Sequence, residues 1–576
     1  MNGINYVAFL FLRRLRAPLI ILVVVYSVNM LGYVLIPGVD PEGNTYHMTF
    51  FDAFYFVSFM GSTIGFGEIP HAFTNAQRFW TMGAMYSTVI SWLYSIGAVI
   101  AVMRDEAFLR LVKRTRFRSR VRSIREPFYL VCGYGLTGSV LIRRLVGRGV
   151  RCVVVDVDPD RIESLGLDDL AFDVPSLCAD ASDPEALQDA GINHLRCVGV
   201  LCLTNVDHVN LSIAIASKLL APQRVVISRT ETEEYSRNLA SFGTDHAVYP
   251  FNIFAEYLNT AIHNPYRHLV HDWMVSPSHR PMASAGKPKR GTWIICGYGR
   301  FGKALRSFLD KHDNLNTVII EPNPSLYRHV PHGDLVVSGL GTEAETLLEA
   351  GIKDAVGIVA GTQDDANNLS IIMTARDLKP SLITVARQNN RLNHSVFAAA
   401  SIDMIMDPSQ VIANHIFSLI RAPELIAFLE AIRAQDELWC KGLLQALDGL
   451  VGEHELESWT VSVDAQTTPA VYEQLVKGME VPVSTFYHHP LERTTALPCK
   501  VMMVARQGQR LLTPDPDFCL RIGDRILISG RRGTAYWLFW TLENPNVLQY
   551  ILNGEESSSS YLWRYLSRFF QKQGET

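Results

Sequence analysis

Two uncharged apolar runs near the N-terminus constrain the fold of this chain more than any other feature. Neither residues 17–39 nor residues 79–103 contain an Asp, Glu, Lys or Arg. At a rise of 1.5 Å per residue, about 20 residues cross a hydrocarbon core of about 30 Å. The runs therefore predict two membrane-spanning helices, at residues 17–37 and 79–103. Gly83 and Gly97 interrupt the second, either as bending points or as sites of close helix packing.

The distribution of basic residues predicts how these two spans are oriented. Arg13, Arg14 and Arg16 precede the first span, and nine Lys or Arg residues lie between 104 and 125, directly after the second. Because positively charged flanks stay on the cytoplasmic side, we expect a multi-pass protein of the plasma membrane with both termini, including residues 1–16, in the cytoplasm. A cleaved signal peptide is the alternative, but the first run is too long for a signal core.

A short segment between the spans combines an apolar start with a glycine-rich end. Residues 50–61 predict a short helix, which Thr63-Ile64-Gly65-Phe66-Gly67 cannot continue. Glycines at alternate positions permit positive φ, so this stretch can form a strand with every carbonyl on one side.

The sequence STIGFGE resembles the TVGYGD filter of potassium channels that have two spans per subunit. In that family, backbone carbonyls from four copies replace the hydration shell of a potassium ion. The resemblance implies a pore helix and selectivity filter at residues 49–68 of a homotetramer. Potassium would be held by the carbonyls of Thr63, Ile64, Gly65 and Phe66 and by the Thr63 hydroxyl, in a filter that ends at Gly67.

Two filter residues depart from the family pattern. Phe66 replaces the usual Tyr, whose hydroxyl braces the filter from behind, and Glu68 replaces the usual Asp. Both replacements can loosen the filter, and neither removes a carbonyl ligand. The alternative interpretation of the segment is an ordinary glycine-containing loop between two spans.

The chain after residue 126 repeats one pattern of strands and helices. Apolar strands alternate with amphipathic helices, the order expected of a doubly wound parallel α/β sheet. A Gly-x-Gly-x-x-Gly loop follows the first strand of each half, and the two loops are 164 residues apart, with glycines at Gly133, Gly135 and Gly138 and at Gly297, Gly299 and Gly302. Later landmarks recur 158 residues apart, such as Arg229 and Arg387. Two matching units indicate an internal duplication.

Each glycine loop is followed by an acidic residue at the end of the next strand. Asp156 lies 23 residues after Gly133, and Glu321 lies 24 residues after Gly297, near the spacing of a ribose-binding acid. Small residues let backbone N–H groups approach a pyrophosphate, and the acid accepts hydrogen bonds from a ribose diol. Because the acid would repel a 2′-phosphate, the pattern favours NAD or an adenine nucleotide over NADP. Tight strand–helix packing without a ligand is the alternative for each loop.

Both halves resemble the TrkA-N domain, also called KTN or RCK, the regulator of potassium conductance. Together with the pore segment, the resemblance covers nearly the whole chain. It implies a membrane α-helical pore with two cytosolic Rossmann-like α/β domains, at residues 127–274 and 291–438, and an intracellular gating ring of eight such domains per tetramer. The ligand implied is NAD or an adenine nucleotide such as ADP, AMP or ATP.

The two halves differ in residues that concern such a ligand. The second loop carries Arg300, as the nucleotide-binding members of the family do, and a guanidinium there can pair with phosphate. The first loop has Leu136 at the same position. We therefore expect the nucleotide in the second half first, at Gly297, Gly299, Arg300, Phe301, Gly302 and Glu321. The first half offers Gly133, Gly135, Thr137, Gly138, Asp156 and Asp180.

Asp180 has three open interpretations. It lies in the turn that corresponds to the GDAT turn of the family, and the second half has Leu340 at this position. Asp180 is a ligand of a base or ribose, a calcium ligand together with Asp156, Asp158 or Asp183, or the cap of a helix or turn.

The remaining segments complete the predicted organisation. Residues 104–126 are a basic linker, 275–290 a linker rich in Pro, Ser and Gly, 439–552 a small β-rich C-terminal lobe with a turn at Gly523-Asp524, and 553–576 a tail. The nine cysteines form no CxxC pair, which predicts reduced thiols and neither a zinc site nor a disulfide framework.

Charge narrows the range of functions. Residues 1–126 carry a net charge of +6 and residues 127–576 a net charge of −10, which does not indicate nucleic-acid binding. The leading hypothesis is a ligand-gated potassium channel in a lipid bilayer, and not an enzyme. The alternatives are a membrane-anchored NAD-dependent oxidoreductase, for which no catalytic acid or base can be identified, and a sensor subunit with a non-conducting pore.

Overall fold

A computed structural model describes residues 3–275, 290–309, 315–328, 335–452 and 454–554, with side chains from residue 12 onward. The chain divides into two compact units. The first holds residues 1–125 with two short segments, 175–177 and 188–194, and the second holds the rest. Most of the predicted 275–290 linker and of the tail lies outside the described residues.

In the first unit, two long helices flank a short one. The elements are α1 (Gly3–Leu35), β1 (Gly38–Val39), β2 (Thr45–Tyr46), α2 (Phe50–Gly61), α3 (Asn75–Arg104) and α4 (Glu106–Arg122). By length and composition, residues Leu12–Leu35 of α1 and the whole of α3 can each cross a membrane. Both helices begin earlier than predicted, and the predicted short helix is confirmed with its bounds.

Local capping explains where these helices begin. The Thr74 hydroxyl accepts the backbone N–H of Gln77, whose side chain accepts the N–H of Thr74, so a capping box starts α3. The Asp105 side chain accepts the N–H of Phe108 and starts α4. The predicted linker 104–126 is therefore largely helical.

An aromatic core joins the three apolar helices of the first unit. The ring centroids of Tyr33 and Phe56 are 4.9 Å apart, as are those of Phe56 and Phe73. The Asn29 side chain of α1 donates a 2.8 Å hydrogen bond to the hydroxyl of Thr88 in α3. Such a polar link between two apolar helices fixes their relative rotation.

Gly83 and Gly97 are not sites of close packing between α3 and another helix of the same chain. A Cβ added to either would meet no described atom within 4 Å. The outer side of α3 is apolar, since Phe79 and Leu93 are 80% and 65% exposed.

The first half of the second unit is built on a six-stranded sheet of order β5-β4-β3-β6-β7-β8. Its elements are β3 (Phe128–Cys132), α5 (Leu136–Val146), β4 (Arg151–Asp156), α6 (Pro159–Leu167), β5 (Ser176–Cys178), α7 (Pro184–Asp189), β6 (Cys197–Cys202), α8 (Asp207–Leu220), β7 (Val225–Arg229), α9 (Glu233–Ser241), β8 (His246–Val248), α10 (Pro250–His263) and α11 (Pro265–Val275). The pairings of β3 with β4 and β6 are parallel, as are those of β7 with β6 and β8.

The second half repeats this sheet in the order β11-β10-β9-β12-β13-β14, with every pairing parallel. Its elements are β9 (Gly291–Cys296), α12 (Arg300–Leu309), β10 (Leu315–Ile320), α13 (Pro324–Tyr327), β11 (Leu335–Val337), α14 (Ala344–Glu349), β12 (Gly357–Ala360), α15 (Asp365–Leu378), β13 (Ile383–Arg387), α16 (His394–Ala399), β14 (Met404–Met406), α17 (Pro408–Arg421) and α18 (Pro423–Ala431). In both halves the chain reverses its strand order between the first and fourth strands, where doubly wound sheets bind ligands. The predicted duplication and fold class are confirmed.

The two halves exchange a helix. The core of the second sheet contains Phe251 and Phe254 of α10 beside Phe301 of α12. The core of the first sheet contains Ile412 and Ile416 of α17. Each half therefore buries apolar surface of the other, which joins them into one folded unit.

Helices α17 and α18 are apolar enough to pass as a broken span, with a bend of 107° between Pro408–Arg421 and Pro423–Ala434. Because α17 lies in the core of the first sheet, its apolar residues already have protein partners. We assign the pair to the folded core and not to the membrane.

The C-terminal lobe is a four-stranded antiparallel sheet of order β15-β18-β16-β17, covered by helices. Its Asp524 is buried and accepts two hydrogen bonds from Arg506, at 2.8 and 2.7 Å, beside the left-handed Gly523. The elements are α19 (Glu437–Val451), β15 (Leu456–Ser462), α20 (Pro469–Val476), β16 (Cys499–Arg506), β17 (Gln509–Leu512), β18 (Arg525–Arg531), α21 (Thr534–Glu543) and α22 (Pro545–Asn553).

The nine cysteines are all free thiols. Most lie in the cores of the sheets, and burial raises the pKa of Cys296 to about 12. A thiol with such a pKa stays protonated and unreactive at neutral pH.

Candidate functional site

The segment after α2 alternates between left-handed and ordinary backbone. Thr63, Gly65 and Gly67 have φ of 62°, 66° and 104°, whereas the intervening Ile64 and Phe66 do not have positive φ. Residues of alternating hand place successive carbonyls on the same side of the chain. Positive φ is unfavourable for a β-branched residue, so Thr63 holds a strained conformation.

The end of α2 anchors this segment. The backbone N–H groups of Thr63 and Ile64 donate to the carbonyls of Met60 and Phe59, at 3.1 and 3.0 Å. The helix therefore directs its C-terminal, negative end toward the row of carbonyls, which favours a cation there.

The side chains of the segment are open to the surroundings of the single chain. Ile64 and Phe66 are 60% and 66% exposed, and a Cβ added to Gly65 would meet no described atom within 4 Å. The Phe66 ring contacts that of Phe59 with centroids 5.6 Å apart. That contact holds the Phe66 ring against α2.

Glu68 is held in place by hydrogen bonds from α3 and from the loop before it. Its carboxylate accepts two hydrogen bonds from Arg78 in α3, at 2.8 and 3.1 Å, and one from the backbone N–H of Phe73, at 2.9 Å. The longer side chain of Glu reaches the start of the second span. The carboxylate thereby closes the loop between the filter segment and α3.

Two cavities lie beside the two glycine loops. The first pocket, about 420 Å³, is lined by the glycine loop of the first half and by Asp156, Asp180, Glu231 and Arg387. The second pocket, about 350 Å³, is lined by the glycine loop of the second half and by Arg300, Glu321, Leu340 and Arg387. Each pocket therefore contains the loop and the acid that the sequence pairs, and both are large enough for a small-molecule ligand.

The three glycines of each loop have different structural tasks. Gly133 and Gly297 have φ of 109° and 94°. A Cβ on Gly138 or Gly302 would lie 2.1 or 2.2 Å from the carbonyl oxygen of the first glycine in its loop. The middle glycines, Gly135 and Gly299, have no close backbone neighbour and line the pockets. The first and third glycines are therefore required by the fold, and the middle ones leave room for a ligand.

Asp156 and Glu321 hold the glycine loops. Asp156 accepts the backbone N–H of Tyr134 at 2.5 Å, and Glu321 accepts that of Tyr298 at 2.7 Å. Both acids are almost buried. Because a carboxylate has about four acceptor positions, lone pairs remain for a ribose diol. Each acid thus has a structural task besides any contact with a ligand.

Phe301 and Thr137 lie behind the loops. The Phe301 ring packs in the core, 5.8 Å from the centroids of Phe251 and Phe254. Thr137 is 1% exposed, and its hydroxyl accepts a 3.4 Å hydrogen bond from Arg229. Only the backbone of either residue remains open to the predicted contact with a ligand.

The predicted calcium site is not supported. Asp156, Asp158, Asp180 and Asp183 each accept a hydrogen bond from the backbone N–H two residues further on. Each of these carboxylates therefore caps a local turn. Within the described ranges, no group of three or more His, Cys, Asp or Glu side chains is arranged to hold a metal ion.

A cluster of charges that the sequence did not single out joins the two pockets. Glu231, which lines the first pocket, pairs with Arg229 at 2.5 Å and with Arg300 of the second pocket at 2.8 Å. Burial lowers the pKa of Arg387, neighbouring Arg300 lowers it further, and Glu231 opposes both. In the sequence, the only indication of this cluster is the repeat offset of 158 residues that relates Arg229 to Arg387.

Family models match both parts of the chain. The ion channel model matches residues 20–105, and the TrkA-N domain model matches twice, at residues 129–250 and 293–408. The two TrkA-N matches coincide with the two parallel sheets and their glycine loops.

Relatives are similar to this chain over parts of their length. Potassium channel protein 1 of Methanocaldococcus jannaschii is 24% identical over 205 residues, which are 35% of this chain and 59% of that protein. A Trk system potassium uptake protein TrkA homolog of Methanothermobacter thermautotrophicus is 34% identical over 137 residues, 23% of this chain and 61% of that protein. The chain thus spans about three fifths of these two curated relatives. A solved structure, the GsuK channel bound to NAD, is 18% identical with a TM-score of 0.49 and covers 93% of this chain and 99% of that chain.

The two family models and the fold define a membrane protein that combines a channel-type helical unit with Rossmann-like domains. More specifically, the chain carries one ion channel domain followed by two tandem TrkA-N domains. The predicted combination of pore and duplicated regulator domain is confirmed.

Proposed function

We propose that this chain is one subunit of a potassium-selective channel in which a nucleotide bound to the TrkA-N domains controls opening. The observation that carries the proposal is the backbone alternation at Thr63, Gly65 and Gly67. It follows a short helix between two helices long enough to cross a membrane. A row of carbonyls in this setting can replace the hydration shell of potassium. The names of both curated relatives also refer to potassium.

A single chain offers one row of carbonyls, and a dehydrated ion needs ligands on all sides. We therefore propose a homotetramer with the filter segments around one axis. The potassium ion would be held by the carbonyls of Thr63, Ile64, Gly65 and Phe66. The exposure of Ile64 and Phe66 in the single chain agrees with this arrangement. The basic residues flanking both spans favour cytoplasmic termini in the plasma membrane.

The effector that fits the pockets best is NAD or an adenine nucleotide, in the second pocket first. Arg300 offers a cation for phosphate, and Glu321 offers acceptors for a ribose diol while disfavouring a 2′-phosphate. In the first pocket, Asp156 could bind a diol, but Leu136 takes the place of the loop arginine. The same pockets would suit an oxidoreductase, but a Rossmann-like fold alone does not supply catalysis.

Ion flux from liposomes separates the possible functions. We expect the purified full-length protein to release potassium faster than sodium from loaded vesicles and to change the rate of release when NAD is added. A non-conducting sensor subunit would bind nucleotide without flux. An oxidoreductase would instead change the absorbance of the nicotinamide with a suitable substrate and conduct nothing.

A further inference from the structure

Three guanidinium groups and one carboxylate meet between the two pockets. Arg300 Nη1 lies 2.8 Å from Glu231 Oε2, and Arg229 Nη2 lies 2.5 Å from Glu231 Oε1. Arg387 lines both pockets. Within the part of the chain that the structure describes, Arg387 makes no ion pair and its buried Nε has no hydrogen-bond partner. These four side chains carry three positive charges and one negative charge, and Asp365 is a further acid that acts on Arg387. The cluster of guanidinium groups suits an anionic ligand.

The duplication explains why, among the described residues, one carboxylate pairs with these guanidinium groups. Glu231 lies two residues after Arg229, and the residue two after Arg387 is Asn389, so the second half lacks the matching acid. A neighbouring acid on α8, Asp207, uses its carboxylate to accept the backbone N–H of Glu231, at 2.9 Å. Glu231 is thus the acid whose side chain reaches across to the cation of the other half.

The position of Glu231 conflicts with the binding of a phosphate. Arg300 is the loop arginine of the second pocket, and its guanidinium is already paired with a carboxylate of the first half. An oxyanion of a ligand would need the same donors. Arg300 is 40% exposed and Glu231 26%, so the pair is accessible to solvent and can open.

We propose that Glu231 is an internal competitor for the phosphate position of the second pocket, so that a phosphate-bearing ligand must displace it from Arg300. The inference rests on the proposed function, because it takes the second pocket to be a nucleotide site. Displacement would break an ion pair between the two TrkA-N domains, while the displaced Glu231 carboxylate would keep its pairing with Arg229. Glu231 is then a residue that sets ligand specificity, since only ligands with a phosphate group meet this competition.

The first test removes the competitor and keeps its size. Glu231→Gln in the full-length protein should tighten the binding of ADP and of inorganic pyrophosphate by about 2- to 5-fold, the scale of a partly exposed ion pair. Adenosine binding should not change. Glu234→Gln is the matched control, because Glu234 is exposed on the adjacent helix and the variant loses the same charge. Calorimetry measures the affinities of the parent and both variants for the three ligands, and equal values for the two variants would overturn the proposal.

A double variant shows whether the effect passes through Arg300. If Glu231 competes for this guanidinium, Glu231→Gln should not raise the affinity for ADP or pyrophosphate when Arg300 is already replaced by Ala. A full gain in that background would mean that Glu231 acts only as a distant negative charge, and the competition would be excluded.

Failure of the proposed function gives a different pattern from failure of this inference. If Glu231→Gln binds pyrophosphate more tightly but neither ADP nor NAD binds, the pocket is not a nucleotide site. The proposal that Glu231 competes with phosphate for Arg300 would then still stand. Binding of ADP that is identical in Glu231→Gln and the parent would retain the nucleotide site and reject the competition. No binding of either probe to the parent or the variants would reject both.

Discussion

At the scale of single residues, the filter segment depends on Gly65. Its φ of 66° would strain any residue with a Cβ, by about 1–2 kcal/mol. We expect Gly65→Ala to abolish potassium flux or to lose the preference over sodium, because the carbonyl row would turn. Flux from liposomes measures this.

Gly43→Ala provides the matched control for this substitution. Gly43 lies in the turn between β1 and β2 with φ of 89°, and a Cβ there would meet no described atom within 4 Å. The control introduces similar backbone strain outside the filter and should keep potassium selectivity. If Gly65→Ala retains the parent's preference for potassium, the filter assignment is wrong.

Glu321 is the residue for which we expect the largest effect on nucleotide binding. Glu321→Ala should weaken NAD binding by about 1.5–3 kcal/mol, the scale of a hydrogen bond to a charged group, and should narrow the preference for NAD over NADP. Calorimetry on the full-length protein measures both.

The structural task of Glu321 requires a second variant. Because its carboxylate holds the N–H groups of Tyr298 and Asn323, Ala also releases the loop. Glu321→Gln keeps one acceptor and removes the charge. It should therefore retain more affinity for NAD than Glu321→Ala, and it should still narrow the preference for NAD over NADP. If neither variant affects binding and Asp156→Ala abolishes it, the nucleotide lies in the first pocket.

At the scale of elements, the loop between the filter and α3 is closed by one ion pair. Arg78→Gln would free the Glu68 carboxylate from α3. Since the pair is largely exposed, we expect little loss of stability, but a lower selectivity for potassium because the filter loses a support. Bilayer recordings measure the ratio of permeabilities.

Arg110→Gln is the control for this element. Arg110 pairs with Glu106 on α4 at 3.9 Å, with both side chains mostly exposed. The same loss of charge there should leave selectivity unchanged. Equal selectivity in Arg78→Gln and Arg110→Gln would show that the Glu68 pair does not support the filter.

The elements also show how far sequence patterns predict this fold. The short helix α2 and the two glycine loops follow from local rules, namely hydrophobic periodicity and the need for glycine at positive φ. The role of Phe301 did not follow, because its ring is buried against α10 of the other half. A contact between helices so distant in sequence leaves no local pattern.

At the scale of the whole molecule, the proposed filter requires four copies. We expect light scattering of the protein in detergent to give the mass of four chains, because fourfold symmetry is the arrangement in which each copy supplies one side of the filter. A monomer or dimer that still conducts potassium after reconstitution would contradict this assembly.

The whole-molecule charge pattern sets the other limit of sequence reasoning. The offset between Arg229 and Arg387 was visible in the repeat. The pairing of Glu231 with Arg300 was not, because it depends on how the two halves pack through their exchanged helices. The sequence predicts that the guanidinium of the loop arginine pairs with phosphate. Its ion pair with Glu231 is visible only in the three-dimensional structure.

The central claim is that this molecule is a potassium pore controlled by a nucleotide. Current through a planar bilayer containing the purified protein, recorded under opposed potassium and sodium gradients with and without NAD on the side of the TrkA-N domains, tests it most directly. We predict a reversal potential close to the potassium equilibrium potential and an open probability that changes with NAD. A current that does not distinguish the two ions, or one that NAD and ADP leave unchanged, would contradict the claim.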